Sequence, residues 1–298
     1  MSKYPLDKEL KFLRHFNAPV GRLFLPIGSL ILKICPKGFN KKKVNVKEIK
    51  IDNFNIIIVT PIELLNETTP CLYYIHGGGF MYRAFPGHYH LMEEYSINAR
   101  CRVIGIDYNL SYKYPYPHQI NECIKAYEYI LNNSSSLKID INNIAIGGDS
   151  AGASLALDTL FKIEELNLKR INSIMLIYPV VDDRQITESI KRFTDTPGWN
   201  SKNNKVMWKY YLNDQEYKNP LLRIDEFNIK KLYIELAEYD CLHDEGLELF
   251  NALKDKVDYK ILNETNNTFH AYDFNRKAKV TINSVNKRID FLRKTFNR

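Results

Sequence analysis

No run in this chain is long and apolar enough to cross a bilayer, which takes about 20 residues. The best candidate, residues 20–34, is broken by Arg22, Pro26 and Lys33. The N-terminal Met1-Ser2-Lys3-Tyr4-Pro5 lacks the charged-then-apolar pattern of a secretory signal. Neither export nor stable membrane insertion is therefore expected. Cysteine is sparse and unpatterned. Cys35, Cys71, Cys101, Cys123 and Cys241 are odd in number and match no metal-site spacing. Several lie in apolar runs and read as buried thiols, which fits a reducing, cytoplasmic setting. Internal repeats and low-complexity segments are missing as well. The formal charge is +7, but Lys41-Lys42-Lys43 is the only tight basic cluster, so a solvated surface is expected and not a nucleic-acid site.

What is present fits one α/β domain spanning residues 1–298, with 45% hydrophobic and 26% charged residues. Residues 1–40 place Leu10, Leu13, Phe16, Leu23, Leu30 and Ile34 at roughly helical spacing and predict helices joined by turns. Strand signals follow at 44–51, 54–59, 72–75, 103–106, 143–146, 174–178, 232–236 and 257–262. Helical patterns lie between them at about 88–99, 118–132, 151–166, 243–255 and 277–296. The alternation predicts a mostly parallel sheet of about eight strands, covered on both faces, with an antiparallel edge at its start. Residues 182–230 form a long charged and aromatic stretch between two strands, which reads as an insertion over the sheet edge.

Two motifs carry the chemistry. Gly148-Asp149-Ser150-Ala151-Gly152 is a G-x-S-x-G sequence, which turns a strand sharply into a helix and exposes the Ser hydroxyl. Alone it arises by chance in roughly one chain in ten of this size. His76-Gly77-Gly78-Gly79 is rarer, on the order of once in several hundred chains. A backbone without side chains can aim bare N–H groups at a developing negative charge. A nucleophile together with an anion-stabilising loop is the core of acyl transfer.

A Ser hydroxyl needs a base, and a His needs a carboxylate to fix its tautomer. Asp240 follows the strand at 232–236, and His270 follows the strand at 257–262. The chain order Ser…Asp…His is that of α/β hydrolases. Glu238 and Asp244 compete with Asp240, and His243 and His118 with His270. His243 is expected to face solvent, His118 to open a helix. Asp149 and His76 are expected to hold their loops. The expected catalytic set is thus Ser150, Asp240 and His270, with the N–H of Ala151 joining the glycine loop at the oxyanion.

These residues resemble the hormone-sensitive-lipase-like family of α/β hydrolases, which includes the bacterial GDSAG-type esterases. The resemblance covers about residues 44–298 and rests on His76 to Phe80, on the Ser150 motif, on Asp240-Cys241-Leu242-His243-Asp244-Glu245-Gly246, and on His270-Ala271-Tyr272. Asp107-Tyr108-Asn109-Leu110 is similar to a family Asp-Tyr-Arg-Leu run, but Ser111-Tyr112-Lys113 replaces the usual Ala-Pro-Glu. The resemblance implies an α/β-hydrolase core at 44–298 with a helical cap from residues 1–40 and about 182–230. It implies Gly78, Gly79 and Ala151 as oxyanion donors, a small-molecule ester with a short or medium acyl chain as substrate, and no metal or organic cofactor. Amidases and formamidases of similar fold often carry an aromatic after two glycines, where this chain has Gly79. Receptor members lack the catalytic His, whereas His270 is present. A homodimer is expected only because dimers are the commonest soluble oligomers.

Overall fold

The structure, a computed structural model, describes residues 3–21 and 24–297. Its elements run α1 (Phe24–Ile34), β1 (Val44–Ile51), β2 (Phe54–Pro61), β3 (Thr69–Ile75), α2 (Pro86–Asn98), β4 (Arg102–Asp107), α3 (His118–Asn132) and α4 (Ser134–Leu137). There follow β5 (Ile139–Asp149), α5 (Ala151–Glu165), β6 (Ser173–Ile177), α6 (Glu188–Arg192), α7 (Ser201–Leu212), β7 (Lys231–Tyr239), α8 (His243–Leu253), β8 (Tyr259–Phe269) and α9 (Lys279–Phe296). The eight strands form one sheet in the order β1-β2-β4-β3-β5-β6-β7-β8. The pairs β1–β2 and β2–β4 are antiparallel, and every later pair is parallel.

Burial follows that order. β3 and β6 are buried at every position, as strands covered on both faces must be. The edge strand β1 is mostly half-buried or exposed. Successive side chains on β3 point to opposite faces. Tyr73 stacks on Tyr127 of α3 at 6.4 Å, whereas its neighbour Tyr74 meets Tyr95 of α2 edge-on at 6.0 Å. Helices α2 and α3 therefore cover opposite faces, with α9 packed beside α2 and α5 beside α3.

Register positions the site. Ile75 pairs with both Ile106 and Gly148, and Asp149 pairs with Ile177. Ile177 pairs in turn with Glu235, and Tyr239 with Phe269. The carboxyl ends of β3, β5 and β6 thus lie side by side, and β7 and β8 end together. Strands β5, β7 and β8 run further than the apolar runs that announce them, and so deliver Ser150, Asp240 and His270 from rigid ends.

The N-terminal segment departs from the helical expectation. Among the described residues before Val44, only the single turn Lys11–Leu13 and α1 are helical. Arg22 and Leu23 lie outside the described residues. Asn17 bridges Gly198 instead: Gly198 N–H donates to Phe16 O at 2.8 Å, and Ala18 N–H to Gly198 O at 3.3 Å. The backbone there satisfies its polar groups against the 182–230 insertion and not within a helix, and Pro19 withholds the next N–H.

Candidate active site

Ser150 sits at the joint of β5 and α5 with φ 53° and ψ −121°. A non-Gly residue held there stores on the order of 1–3 kcal/mol of strain and persists only where its surroundings enforce it. Ser150 N–H donates to Ile177 O at 2.8 Å, and Ser150 O accepts from Val180 N–H at 3.2 Å. Helix α5 crosses β3 so closely that a methyl group at Gly152 would lie 2.1 Å from Ile75 O. The glycine at that position is what allows the turn.

The hydroxyl of Ser150 lies 2.9 Å from His270 Nε2, and His270 Nδ1 lies 2.6 Å from Asp240 Oδ2. All three residues are buried. Asp240 Oδ1 accepts from Leu242 N–H at 3.0 Å, which fixes the carboxylate plane. With Nδ1–H donated to Asp240, Nε2 is free to accept the Ser150 proton. The competing groups lie elsewhere. Glu238 accepts from Asn267 N–H, and Asp244 from Ser189 N–H. His243 stands between Asp244 and Glu264, and His118 sits at the start of α3 beside Glu122.

The glycine loop is held from below by Asp149. Its Oδ1 accepts from Tyr74 O–H at 2.6 Å and Gly77 N–H at 3.0 Å, and its Oδ2 faces His88 Nε2 at 3.0 Å. Burial would raise this carboxyl, but His88 and Tyr74 outweigh it and bring it down to about 2. His76 donates from Nδ1 to Gly77 O at 2.6 Å and stacks on Tyr108 at 4.4 Å. Burial, with His88 nearby, lowers its pKa to about 4, so the ring stays neutral at ordinary pH. Gly78 and Gly79 have φ of 108° and 60°. Among the described residues, neither of their N–H groups nor that of Ala151 finds a protein acceptor. The loop that departs from the family pattern is tied in as well, with Ser111 N–H donating to Phe80 O at 2.8 Å.

Around Ser150 lies a small cavity of about 50 Å³, walled by Phe16, Tyr82, Phe85, Trp199 and Phe274. Trp199 stands 6.3 Å from the His270 ring, and a methyl group at Gly79 would lie 2.8 Å from its indole. Tyr178 packs on His270 at 4.6 Å and donates to Asp273 Oδ1 at 2.7 Å. Asp273 Oδ2 in turn accepts from Arg288 Nη1 at 2.8 Å. Sequence reasoning did not single out His88, Tyr178, Trp199 or Arg288. Only Trp199 carried a visible signal, as part of an aromatic-rich insertion. No group of three or more His, Cys, Asp or Glu among the described residues is arranged to hold a metal ion.

This fold has counterparts among known proteins. The Abhydrolase_3 family, described by its alpha/beta hydrolase fold, matches residues 72–274. An acetyl esterase of Salmonella typhi is 28% identical over 214 residues, covering 67% of this chain and 65% of that protein. An α/β hydrolase of Acanthamoeba polyphaga mimivirus is 28% identical over 217 residues, covering 69% of this chain and 62% of that protein. The chain thus spans less than two thirds of the length of these curated relatives. Among solved structures, a bacterial heroin esterase is 26% identical with a TM-score of 0.84, covering 98% of each chain. The esterase LipW from Mycobacterium marinum shares the fold at a TM-score of 0.86 and 21% identity, covering 99% of this chain and 97% of that one.

Proposed function

The chain belongs to the Abhydrolase_3 family of α/β hydrolases, and from that premise we propose that it is a serine carboxylesterase acting on small esters of short to medium acyl chain. The observation that carries the reading is the hydrogen-bonded line from Ser150 through His270 to Asp240, set under a loop with unoccupied N–H donors. Esterase relatives and esterase structural neighbours support the choice of ester substrates.

In this mechanism His270 Nε2 takes the Ser150 proton as Oγ attacks the ester carbonyl. The tetrahedral oxyanion receives hydrogen bonds from the N–H groups of Gly78, Gly79 and Ala151. Asp240 holds the imidazole in the right tautomer and stabilises its cation. His270 then returns the proton to the departing alkoxide, leaving Ser150 acylated. A water, deprotonated by His270, attacks the acyl-enzyme and releases the acid and free Ser150. The described part of residues 1–40 and the 182–230 insertion act as the cap, with Phe16 and Trp199 closing the cavity. The Trp199 indole against Gly79 limits the length of acyl chain that the cavity takes.

The test is hydrolysis of p-nitrophenyl esters from acetate to palmitate. The expected result is a maximum at short chains and, in Ser150→Ala, a loss of at least about 10⁴-fold in kcat. Equal turnover by wild type and Ser150→Ala overturns the mechanism. Faster cleavage of a formamide than of any ester moves the enzyme to the amidases.

A further inference from the structure

Helix α1 turns its most apolar side outward. Phe24, Ile27, Leu30, Ile31 and Ile34 are each between 57% and 74% exposed. At 3.6 residues per turn they fall within an arc of about 120°, while Leu25 and Ser29 on the other side are buried. Nothing among the described residues covers that stripe. The stretch of sequence that contains it is charged in one sense only. Between Leu10 and Lys47 the sequence has nine Lys or Arg and no Asp or Glu, and the rest of the chain carries two more acids than bases. The whole excess of positive charge is therefore local to this segment. Of the basic residues described in it, only Lys37 is paired with a carboxylate, that of Glu48, and Lys33 and Lys41 to Lys43 are exposed.

An apolar stripe flanked by unpaired cations fits a surface that is greasy inside and anionic outside. We propose that α1 docks this protein on anionic phospholipid bilayers, lying in the plane of the headgroups without crossing them. No helix among the described residues is long and apolar enough to span a membrane, which agrees with attachment from one side. The helix also adjoins the cavity. Gly28 of α1 packs on Tyr82 so closely that a methyl group there would lie 2.9 Å from the ring, and Tyr82 walls the Ser150 cavity. A docked α1 holds the cavity mouth at the layer into which apolar esters partition. The docking stands on the helix and the charge alone, whatever the reaction.

The experiment is flotation of the full chain with vesicles of phosphatidylcholine alone, or of two parts phosphatidylcholine to one part phosphatidylglycerol. The expected result is flotation with the anionic vesicles only, falling at least about tenfold between 0.05 M and 0.5 M ionic strength as screening shortens. Ile27→Glu/Leu30→Glu is expected to stay at the bottom of the gradient. Its circular dichroism melt should match the wild type, because both side chains already face solvent. Absence of flotation with either vesicle overturns the proposal. So does a concentration-dependent dimer in light scattering that the double variant abolishes without any flotation, which assigns the stripe to a second copy of the chain.

Discussion

Replacing Trp199 by Ala removes the indole that stands 6.3 Å from the His270 ring and against Gly79. In the proposed mechanism the space released lies on the acyl side of the reacting carbon. Each added methylene that a pocket accommodates is worth about tenfold or more in discrimination. The expected outcome is a rise of about tenfold in the ratio of kcat/KM for p-nitrophenyl hexanoate over acetate, measured against wild type. A ratio that stays constant places the acyl limit elsewhere. Asp149 makes a different prediction. Its folded value of about 2 lies below the roughly 3.9 of an unfolded chain. A depressed carboxyl adds stability above its unfolded value and loses it as pH falls through its folded value. The window is pH 4 down to 2, worth about 2–3 kcal/mol. Urea unfolding should show Asp149→Asn less stable than wild type at pH 6, and less sensitive to acid between pH 5 and 2.

Helix α5 and the insertion meet at a buried carboxyl. Tyr217 O–H donates to Asp158 Oδ2 at 3.0 Å, and burial raises the Asp158 pKa to about 7 against the pull of that bond. Here the sign is reversed. A raised carboxyl is protonated in the folded chain and ionises on unfolding, so stability drains away as pH climbs from about 4 to 7. Asp158→Asn keeps an acceptor for Tyr217 and removes the ionisation. The melting temperature of the variant is expected to exceed that of wild type at pH 8 and to equal it at pH 4.5. The same contact fastens Tyr217 into an aromatic cluster with Tyr116, Trp208 and Tyr211. The insertion is thereby anchored to the core by packing as well as by one polar bond.

Across the molecule, Arg288 of α9 joins parts far apart in the chain. It reaches Glu235 of β7, Asp273 after β8 and the hydroxyl of Tyr95 in α2, with its own side chain fully buried. Removing one partner of a buried ion pair strands the other charge, at a cost of about 3–5 kcal/mol. Arg288→Met should lower the urea midpoint accordingly, and Lys should rescue only part, because one ammonium cannot serve three partners. Such a residue could not be read from sequence, being one of 42 Lys and Arg until α9 lands on the sheet. The strands were legible because central parallel strands must be apolar throughout, and the loops of Ser150 and Asp240 because each follows such a strand, whereas His270 follows the edge strand β8, legible only from the apolar run at 257–262. The N-terminal spacing held for α1 but misled before it, because apolar periodicity records which side chains could share a face and not where the backbone bonds go. At residues 16–18 the backbone bonds to Gly198. His88 and Tyr178 gave no signal for the same reason as Arg288: their neighbours arrive from other elements.

The pairing of Tyr239 with Phe269 leaves Asp240 and His270 each one residue past the last rung. Side chains alternate faces along a strand, so a slip of β8 by one residue would turn His270 away from Asp240. Ser150 is 120 residues from His270 in the chain and follows a strand three places further in. On the proposed serine-esterase reading, turnover thus serves as a clock hand for assembly. During refolding, the first catalytic event dates the moment at which β5, β6, β7 and β8 have all found their neighbours in register.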